Sequence, residues 1–185
     1  DLAVVPRAAA RAGQIVRNLL AFVRRSAPNR AAADLAEVIR SVVELRGYHL
    51  QQQNIRLVVE LPEAGPRVLV NREEIQQVVL NLLLNAEQAM RGAGRGSTIT
   101  IRCLETPDGP AVEVADDGPG VSPEVGGKIF EPFFTTKDVG EGTGLGLSIS
   151  HGIAAAHGGS LVLRPSAVGA CFRLSLPAFR PQEPP

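Results

Sequence analysis

The chain has 185 residues, and its 19 basic and 19 acidic side chains give a formal net charge of zero. Hydrophobic residues make up 44% and charged residues 21%, which is typical of a globular protein and excludes a disordered or collagen-like chain. Because binding to nucleic acid or to an anionic membrane needs a basic surplus, the balanced charge argues against both, and we expect no nucleic-acid partner.

The two cysteines, Cys103 and Cys171, lie far apart and form no CxxC pair, so neither a zinc site nor a disulfide framework is indicated. This cysteine usage favours a reducing compartment, and we expect a cytoplasmic location. No run of about 18 uninterrupted apolar residues occurs, which predicts no membrane-spanning helix within the sequence. Because the chain begins at Asp1 without a signal-peptide pattern, we interpret it as a fragment of a parent protein that is either soluble or membrane-anchored.

Residues 1–26 have a pattern that differs from the rest of the chain. Pro6 suits the first turn of a helix, and the apolar residues behind it recur at heptad spacing: Ala8, Ala12, Ile15, Leu19 and Phe22. A helix this apolar on one side needs a partner helix, although a surface helix packed on its own domain is the alternative. Residues 27–33, which contain Pro28, cannot continue the helix cleanly and are predicted to be a linker.

From Asp34 onward the pattern is α+β, and we predict one domain over residues 34–179. Asp34 is predicted to cap a helix whose apolar face consists of Leu35, Val38, Ile39, Val42 and Leu45. Short strands are predicted at residues 55–61 and 67–70. A long helix is predicted at residues 72–90, ending at a run of glycines, with a buried face formed by Ile75, Val78, Val79, Leu82, Leu83 and Ala86.

The second half of the domain alternates between short strands and helices. The remaining predicted elements are strands at 97–104 and 111–115, a short helix near 123–130, a helix at 147–157, and strands at 159–163 and 171–176. The tail at residues 177–185 holds four prolines and is predicted to fray, with residues 180–185 outside the domain.

Two glycine motifs bracket a stretch of about 30 residues dominated by turn formers, which is typical of a functional loop. The first, at residues 116–120, reads Asp-Asp-Gly-Pro-Gly and follows a strand; the second, at residues 142–148, reads Gly-Thr-Gly-Leu-Gly-Leu-Ser and leads into a helix. Glycines ahead of a helix let backbone N–H groups surround an anion, which indicates phosphate. A tight turn is the alternative for the first motif. Neither motif is a GxxxxGK[ST] phosphate loop or a GxGxxG dinucleotide fingerprint.

Two asparagines, Asn81 and Asn85, lie four residues apart on the face of the long helix that carries its apolar stripe. A buried amide without partners is costly, so this face is expected to meet something polar. The oxygen of an asparagine amide suits a Mg²⁺ ion that bridges nucleotide phosphates. For Asn81, hydrogen bonding from the helix to a neighbouring loop is the alternative.

Four motifs, in one order along the chain, resemble those of sensor histidine kinases. Residues 81–86 resemble the N box, 116–120 the first glycine box, 129–137 the phenylalanine box and 142–147 the second glycine box. The resemblance is greatest to two-component kinases of the nitrogen-regulator type. It implies the Bergerat fold of the GHKL superfamily, a two-layer α/β sandwich with a mixed, mostly antiparallel sheet. Residues 1–26 would then be the second helix of the dimerisation hairpin.

The resemblance also implies a role for each motif in binding ATP and magnesium. Asp116 would accept a hydrogen bond from the adenine amine, while Gly118 and Gly120 let the backbone approach the base and ribose. Asn85 would bind Mg²⁺. The remaining residues expected at the nucleotide are Thr136, Lys137, Gly142, Thr143, Gly144, Leu145, Gly146 and Leu147, of which Lys137 would reach the triphosphate from the lid.

Position 81 distinguishes between relatives, because the chaperone and mismatch-repair ATPases of this group carry a glutamate there that activates water. Asn81 cannot accept a proton at neutral pH, so the site is expected to keep the γ-phosphoryl group for transfer rather than hydrolysis. We therefore assign Asn81 and Lys137 to the catalytic set of a kinase. Gln88 departs from the family pattern, in which a basic residue often helps to neutralise the phosphates.

The phosphoaccepting histidine of the family is expected outside this chain. None of His49, His151 and His157 is followed by the acidic residue of the acceptor motif, and His157 is predicted to be a structural residue at a helix C-terminus. The implied partners are the histidine hairpin of the parent protein, a second copy in a homodimer, and a response regulator. The alternatives are a degenerate nucleotide-binding regulatory module and a GHKL ATPase.

Overall fold

The computed structural model describes residues 29–136 and 143–179. In chain order the elements are strand β1 (Ala31–Asp34), helix α1 (Leu35–Gln52), strands β2 (Arg56–Glu60) and β3 (Arg67–Val70), helix α2 (Arg72–Ala93), strands β4 (Thr98–Thr106) and β5 (Gly109–Asp116), helices α3 (Pro123–Gly126) and α4 (Gly146–Ala156), and strands β6 (Ser160–Arg164) and β7 (Cys171–Ser175). This order confirms the α+β class. The helix predicted in residues 1–26 lies outside the described residues.

Five strands form the main sheet in the order β2-β4-β5-β7-β6. Strand β2 runs parallel to β4, and the other neighbouring pairs are antiparallel, so the sheet is mixed and mostly antiparallel, as the resemblance implied. Alternate residues of β4 and β7 are buried against the helices, among them Ile99, Ile101, Phe172 and Leu174. One face of the sheet therefore carries the core, and the helices cover it. No helix in residues 29–136 and 143–179 is long and apolar enough to cross a bilayer.

Strand β1 corrects the linker predicted at residues 27–33. Its residues pair antiparallel with β3 in a separate two-stranded sheet, with Ala31 opposite Val70 and Asp34 opposite Arg67. An alanine-rich segment has neither strand alternation nor β-branched side chains, so only the exposed backbone edge of β3 selects this conformation. The tail prediction is also wrong for its first residues, because the N–H of Phe179 donates to the carbonyl of Arg67 at 2.9 Å.

Helix α1 begins where the capping pattern placed it. The Asp34 carboxylate accepts hydrogen bonds from the N–H of Glu37 at 3.0 Å and from the N–H of Gly65 at 2.9 Å. Four of the five predicted core positions are buried, but Leu45 is 71% exposed. At 100° per residue Leu45 lies about 70° from the mean direction of the four buried residues, at the edge of the apolar arc, where packing does not cover it.

Helix α2 carries the asparagines and is positioned at both ends. Asn71 caps its first turn by accepting from the N–H groups of Glu73 and Glu74, and Gly94 ends it in the left-handed conformation with φ of 58°. The six predicted core residues are all buried: Ile75, Val78, Val79, Leu82, Leu83 and Ala86. The fixed ends and buried face set which residues of α2 face outward from the core.

His157 is the structural residue that the sequence predicted. It is 4% exposed; its Nε2 accepts from the N–H of Asn71 at 3.1 Å, and its Nδ1 lies 2.9 Å from the carbonyl of Ile153. This pairing requires the neutral ring with its proton on Nδ1, so that Nδ1 donates to Ile153. The imidazole thereby joins the end of α4 to the N-cap of α2.

His157→Leu is expected to lower the free energy of unfolding by about 1–3 kcal/mol, because the part-buried backbone N–H of Asn71 loses its acceptor. Urea denaturation measures the difference, and His151→Leu, at an exposed histidine on the same helix, is the matched control with a smaller effect. Equal stability losses in the two variants would show that the bond to Asn71 contributes nothing.

Candidate functional site

A cavity of about 910 Å³ lies between α2, the end of β5 and the first turn of α4. Its walls are mainly apolar, with Leu80, Leu84, Val121, Ile129 and Phe172 among the lining residues. A few polar groups interrupt this lining at separate points. A large, mostly apolar cleft with a few convergent polar groups is typical of a small-molecule site.

Most of the residues predicted from the motifs meet at this cavity. Those in its wall are Asn81, Asn85, Asp116, Gly120, Thr136, Thr143, Gly144, Gly146 and Leu147. Gly118 and Leu145 are not in the wall: the N–H of Gly118 donates to Asp116 from behind, and Leu145 is buried at the start of α4. Lys137 and Gly142 lie outside the described residues.

Asp116 ends strand β5 and is 8% exposed. Its Oδ1 accepts from the N–H of Gly118 at 2.9 Å and from the N–H of Ala170 at 3.3 Å. Both hydrogen bonds to this carboxylate within the described residues go to Oδ1, which leaves Oδ2 as the acceptor for a ligand. Burial raises the pKa of Asp116, although the two backbone hydrogen bonds act in the opposite direction.

The adjacent carboxylate, Asp117, is used by the fold. Its Oδ1 accepts from the N–H of Ser97 at 2.7 Å and from the N–H of Thr98 at 2.8 Å, which ties the loop after β5 to the start of β4. Burial alone would raise the pKa of Asp117, but the backbone hydrogen bonds from Thr98 and Ser97 outweigh it and hold the pKa below its usual value. Only Asp116 of this pair lines the cavity.

The two asparagines of α2 differ in what their amides do. Asn81 Nδ2 donates to Ser150 Oγ at 3.2 Å and lies 3.4 Å from the carbonyl of Gly146, so this amide joins α2 to α4. The alternative stated for Asn81 was a hydrogen bond from the helix to a neighbouring loop. The structure shows a related bond, which joins two helices instead. Asn85 also lines the cavity, but its Nδ2 is buried without a hydrogen-bond partner. The Nδ2 of Asn85 is therefore available to donate to an acceptor on a ligand.

The amide oxygen of Asn85 would suit a magnesium ion that arrives with a phosphate ligand. No cluster of three or more His, Cys, Asp or Glu side chains that could hold a metal occurs within residues 29–136 and 143–179. A cation here would take one amide oxygen from the protein and the rest of its ligands from phosphate and water. Mg²⁺ binds in this way because it keeps several waters and takes few protein ligands.

The first turn of α4 faces the same cavity through Gly146 and Leu147, and Gly144 lies in the cavity wall just before the helix. Within the described residues no side chain caps this turn, although the N–H of Leu145 donates to Thr143 Oγ1 at 3.4 Å. Free N–H groups and the positive end of the helix dipole favour an anion at this place. The N–H of Phe133 donates to the carbonyl of Gly144 at 2.9 Å, which joins the phenylalanine segment to the glycine turn.

Sequence reasoning missed Ala170, Phe172 and Ser150. Ala170 acts through its backbone N–H, so its side chain gives no signal, and only the pairing of β5 with β7 brings it to Asp116. Phe172 lines the cavity as an ordinary alternating residue of β7. Ser150 is fully buried as the partner of Asn81; a serine on the apolar face of a helix was the one available signal for it.

Comparison with known proteins agrees with this geometry. Residues 70–180 match the family described as histidine kinase-, DNA gyrase B-, and HSP90-like ATPase. The chain is 39% identical over 171 residues to the sensor protein FixL of Bradyrhizobium diazoefficiens, covering 92% of this chain and 34% of FixL. The catalytic domain of histidine kinase ThkA matches with a TM-score of 0.71 and 34% identity, over 81% of this chain and 96% of that chain. ThkA in complex with the response regulator protein TrrA matches with a TM-score of 0.76 and 29% identity, over 95% of this chain and 50% of that chain.

The mixed sheet covered by helices, with a helix N-terminus and a buried carboxylate at one cavity, agrees with the nucleotide-binding domain of this ATPase family. The chain belongs to the histidine kinase-, DNA gyrase B- and HSP90-like ATPase family and contains the catalytic ATP-binding domain of a sensor histidine kinase. It spans about a third of the length of FixL.

Proposed function

We propose that this domain transfers the γ-phosphoryl group of ATP to a histidine outside the chain, for relay to an aspartate of a response regulator. The observation that carries the proposal is the separation of roles within one cavity. The Asp116 carboxylate is held by one oxygen, whereas Asn85 Nδ2 has no hydrogen-bond partner and the first turn of α4 has no side-chain cap among the described residues. A base with an exocyclic amine and a phosphate chain match these two sets of groups.

Asp116 would select adenine, because Oδ2 accepts from an amine and repels the carbonyl that guanine carries at the same place. The backbone N–H groups of residues 143–147 would receive the phosphates. Asn85 would hold Mg²⁺, which neutralises phosphate charge when bound. Thr136 lines the cavity, and Lys137 and Gly142 are assigned to the phosphates on the motif alone.

Asn81 favours transfer over hydrolysis for two reasons. An amide cannot take a proton from water at neutral pH, and in this fold the Asn81 nitrogen is engaged with Ser150 at 3.2 Å. A positioned imidazole does not need a base on the enzyme in the same way, since phosphoryl transfer depends mainly on alignment and charge neutralisation. We assign Asn81 the role of holding α4 against α2 at the phosphate end of the site.

The partners follow from the same proposal. The phosphoaccepting histidine would lie on a hairpin of the parent protein, which acts as a homodimer, and the phosphoryl group would pass to a receiver domain. ThkA, whose complex with TrrA resembles this chain, supports a response regulator as the partner. The use of ATP suits a cytoplasmic domain. The nitrogen-regulator subtype stays a prediction from the motifs.

Incubation with γ-labelled ATP and Mg²⁺ tests the proposal. We expect no stable label on this chain alone and label on the histidine hairpin of the parent protein when it is supplied in a second chain. Asp116→Asn is the control that leaves the hairpin unlabelled. Stable label on this chain would contradict the proposal, and steady release of inorganic phosphate without a hairpin would indicate an ATPase. A hairpin that stays unlabelled would indicate a regulatory module.

A further inference from the structure

We propose that the turn at Gly169 and Ala170, between β6 and β7, determines base specificity by aiming the Asp116 carboxylate into the cavity. This inference rests on the proposed binding of ATP and adds a positioning element that none of the glycine motifs includes. The turn lies more than 50 residues from Asp116 along the chain, since the bond from Ala170 to Asp116 spans 54 positions.

The backbone of Ala170 forms hydrogen bonds with both the backbone and the side chain of Asp116. The N–H of Asp116 donates to the carbonyl of Ala170 at 2.9 Å, and the N–H of Ala170 donates to Asp116 Oδ1 at 3.3 Å. The first bond fixes where the end of β5 lies, and the second fixes the rotation of the carboxylate. Together with the N–H of Gly118, they hold Oδ1 and leave Oδ2 free to face a ligand.

Glycine at position 169 allows these hydrogen bonds because the structure leaves no room for a side chain there. Its φ is 65°, and a Cβ atom built on it would lie 1.9 Å from the carbonyl oxygen of Asp116 and 2.8 Å from Asp116 Oδ1. The three atoms nearest to that position all belong to Asp116. On the other side, a Cβ atom on Gly120 would lie 2.9 Å from the carbonyl oxygen of Gly169. Gly120 and Gly169 therefore allow the end of β5, the loop after it and the turn before β7 to pack directly against one another. This packing lies at the end of the cavity that is proposed to bind the base.

A methyl group at position 169 would push the turn away from the end of β5 and release the carboxylate from Ala170. The amide and backbone groups assigned to the phosphates belong to α2 and to residues 143–147 and are not the nearest neighbours of Gly169. The change is therefore expected to alter the choice of base more than the binding of the triphosphate. A loss of stability alone would lower the affinity for every nucleotide by one common factor.

The test compares the affinities of Mg·ATP and Mg·ITP by titration calorimetry, because inosine carries a carbonyl oxygen in place of the adenine amine. The wild type is expected to prefer ATP by about tenfold or more, the ratio that a hydrogen bond to a charged group supports. Gly169→Ala is expected to lose most of this preference. Gly158→Ala is the matched control: its φ is 72°, and its Cβ position meets only Pro177, at 3.5 Å. The control has the same backbone strain and should keep the preference.

An unchanged ATP-to-ITP ratio in Gly169→Ala would overturn the inference. So would a further loss of the ratio when Gly169→Ala is added to Asp116→Asn and compared with Asp116→Asn alone, since the turn is proposed to act only through that carboxylate. If Gly169→Ala does not fold, Gly120→Ala pushes on the same Gly169 carbonyl from the opposite side and is expected to lower the ratio in the same direction. A wild type that binds neither nucleotide would instead refute the proposed function.

Discussion

Asp116→Asn is expected to weaken ATP binding by about 100-fold or more while leaving the domain as stable as the wild type or more stable. The asparagine oxygen can still accept from the N–H groups of Gly118 and Ala170, so the fold keeps both hydrogen bonds. The amide nitrogen then takes the place of Oδ2 and presents a donor to the adenine amine, which is also a donor. Calorimetry measures the binding, and urea denaturation measures the stability.

The pH dependence of the free energy of unfolding provides a second test of Asp116→Asn. Burial holds the pKa of Asp116 above its unfolded value, so folding disfavours the charged form. In the wild type, the contribution of Asp116 to the free energy of unfolding is therefore lost as the pH rises through the raised pKa. An uncharged asparagine at this position has no such loss. The stability advantage of Asp116→Asn is expected at neutral pH and should vanish as the pH falls below the ordinary carboxyl value of 3.8.

Asp117→Asn is the matched control, because the neighbouring carboxylate has the opposite properties. Its pKa is held below the ordinary value, so its stabilising contribution is present at neutral pH and is lost as the pH falls through the lowered pKa. Asp117→Asn should therefore reduce stability at neutral pH and leave ATP affinity unchanged. If the two variants lost ATP binding equally, Asp116 would have no special role at the base.

Asn85→Leu is expected to reduce phosphoryl transfer by about 100-fold or more, the effect of removing one positioned polar group from a transition-state site. The same substitution should leave the free energy of unfolding unchanged or raise it by about 1 kcal/mol, because the buried Nδ2 has no partner to lose. A gain in stability with a loss of activity is the signature of a polar group kept for a ligand. Transfer to the supplied hairpin and urea denaturation measure the two effects.

Asn81→Leu is the comparison for this prediction, since the two asparagines lie one turn apart on the same helix. Its Nδ2 is bonded to Ser150, which is fully buried, so Asn81→Leu is expected to lower the free energy of unfolding by about 1–3 kcal/mol. Equal destabilisation by both substitutions would show that Asn85 is a structural residue. The prediction would also fail if phosphoryl transfer by Asn85→Leu kept the Mg²⁺ dependence of the wild type.

The sequence alone predicted most of the local structure. The start of α2 at Arg72 and all six residues of its buried face follow from the spacing of apolar side chains, and the glycine run predicted its end, which lies three residues beyond the predicted Met90. The cap at Asp34 and the structural role of His157 were predicted in the same way. These features depend on neighbours within one or two turns, so the pattern of side chains is enough to determine them.

Only the tertiary structure decided the features that depend on distant backbone. Strand β1 exists because the edge of β3 accepts it, and Ala170 reaches Asp116 because β5 pairs with β7. The different fates of Asn81 and Asn85 depend on α4, which packs against one amide and leaves the other without a partner. Backbone hydrogen bonds between distant segments carry no side-chain signal. The motifs therefore predicted most of the polar and glycine residues that line the cavity, and the packing of strands and helices determined which of their atoms have partners within the described residues.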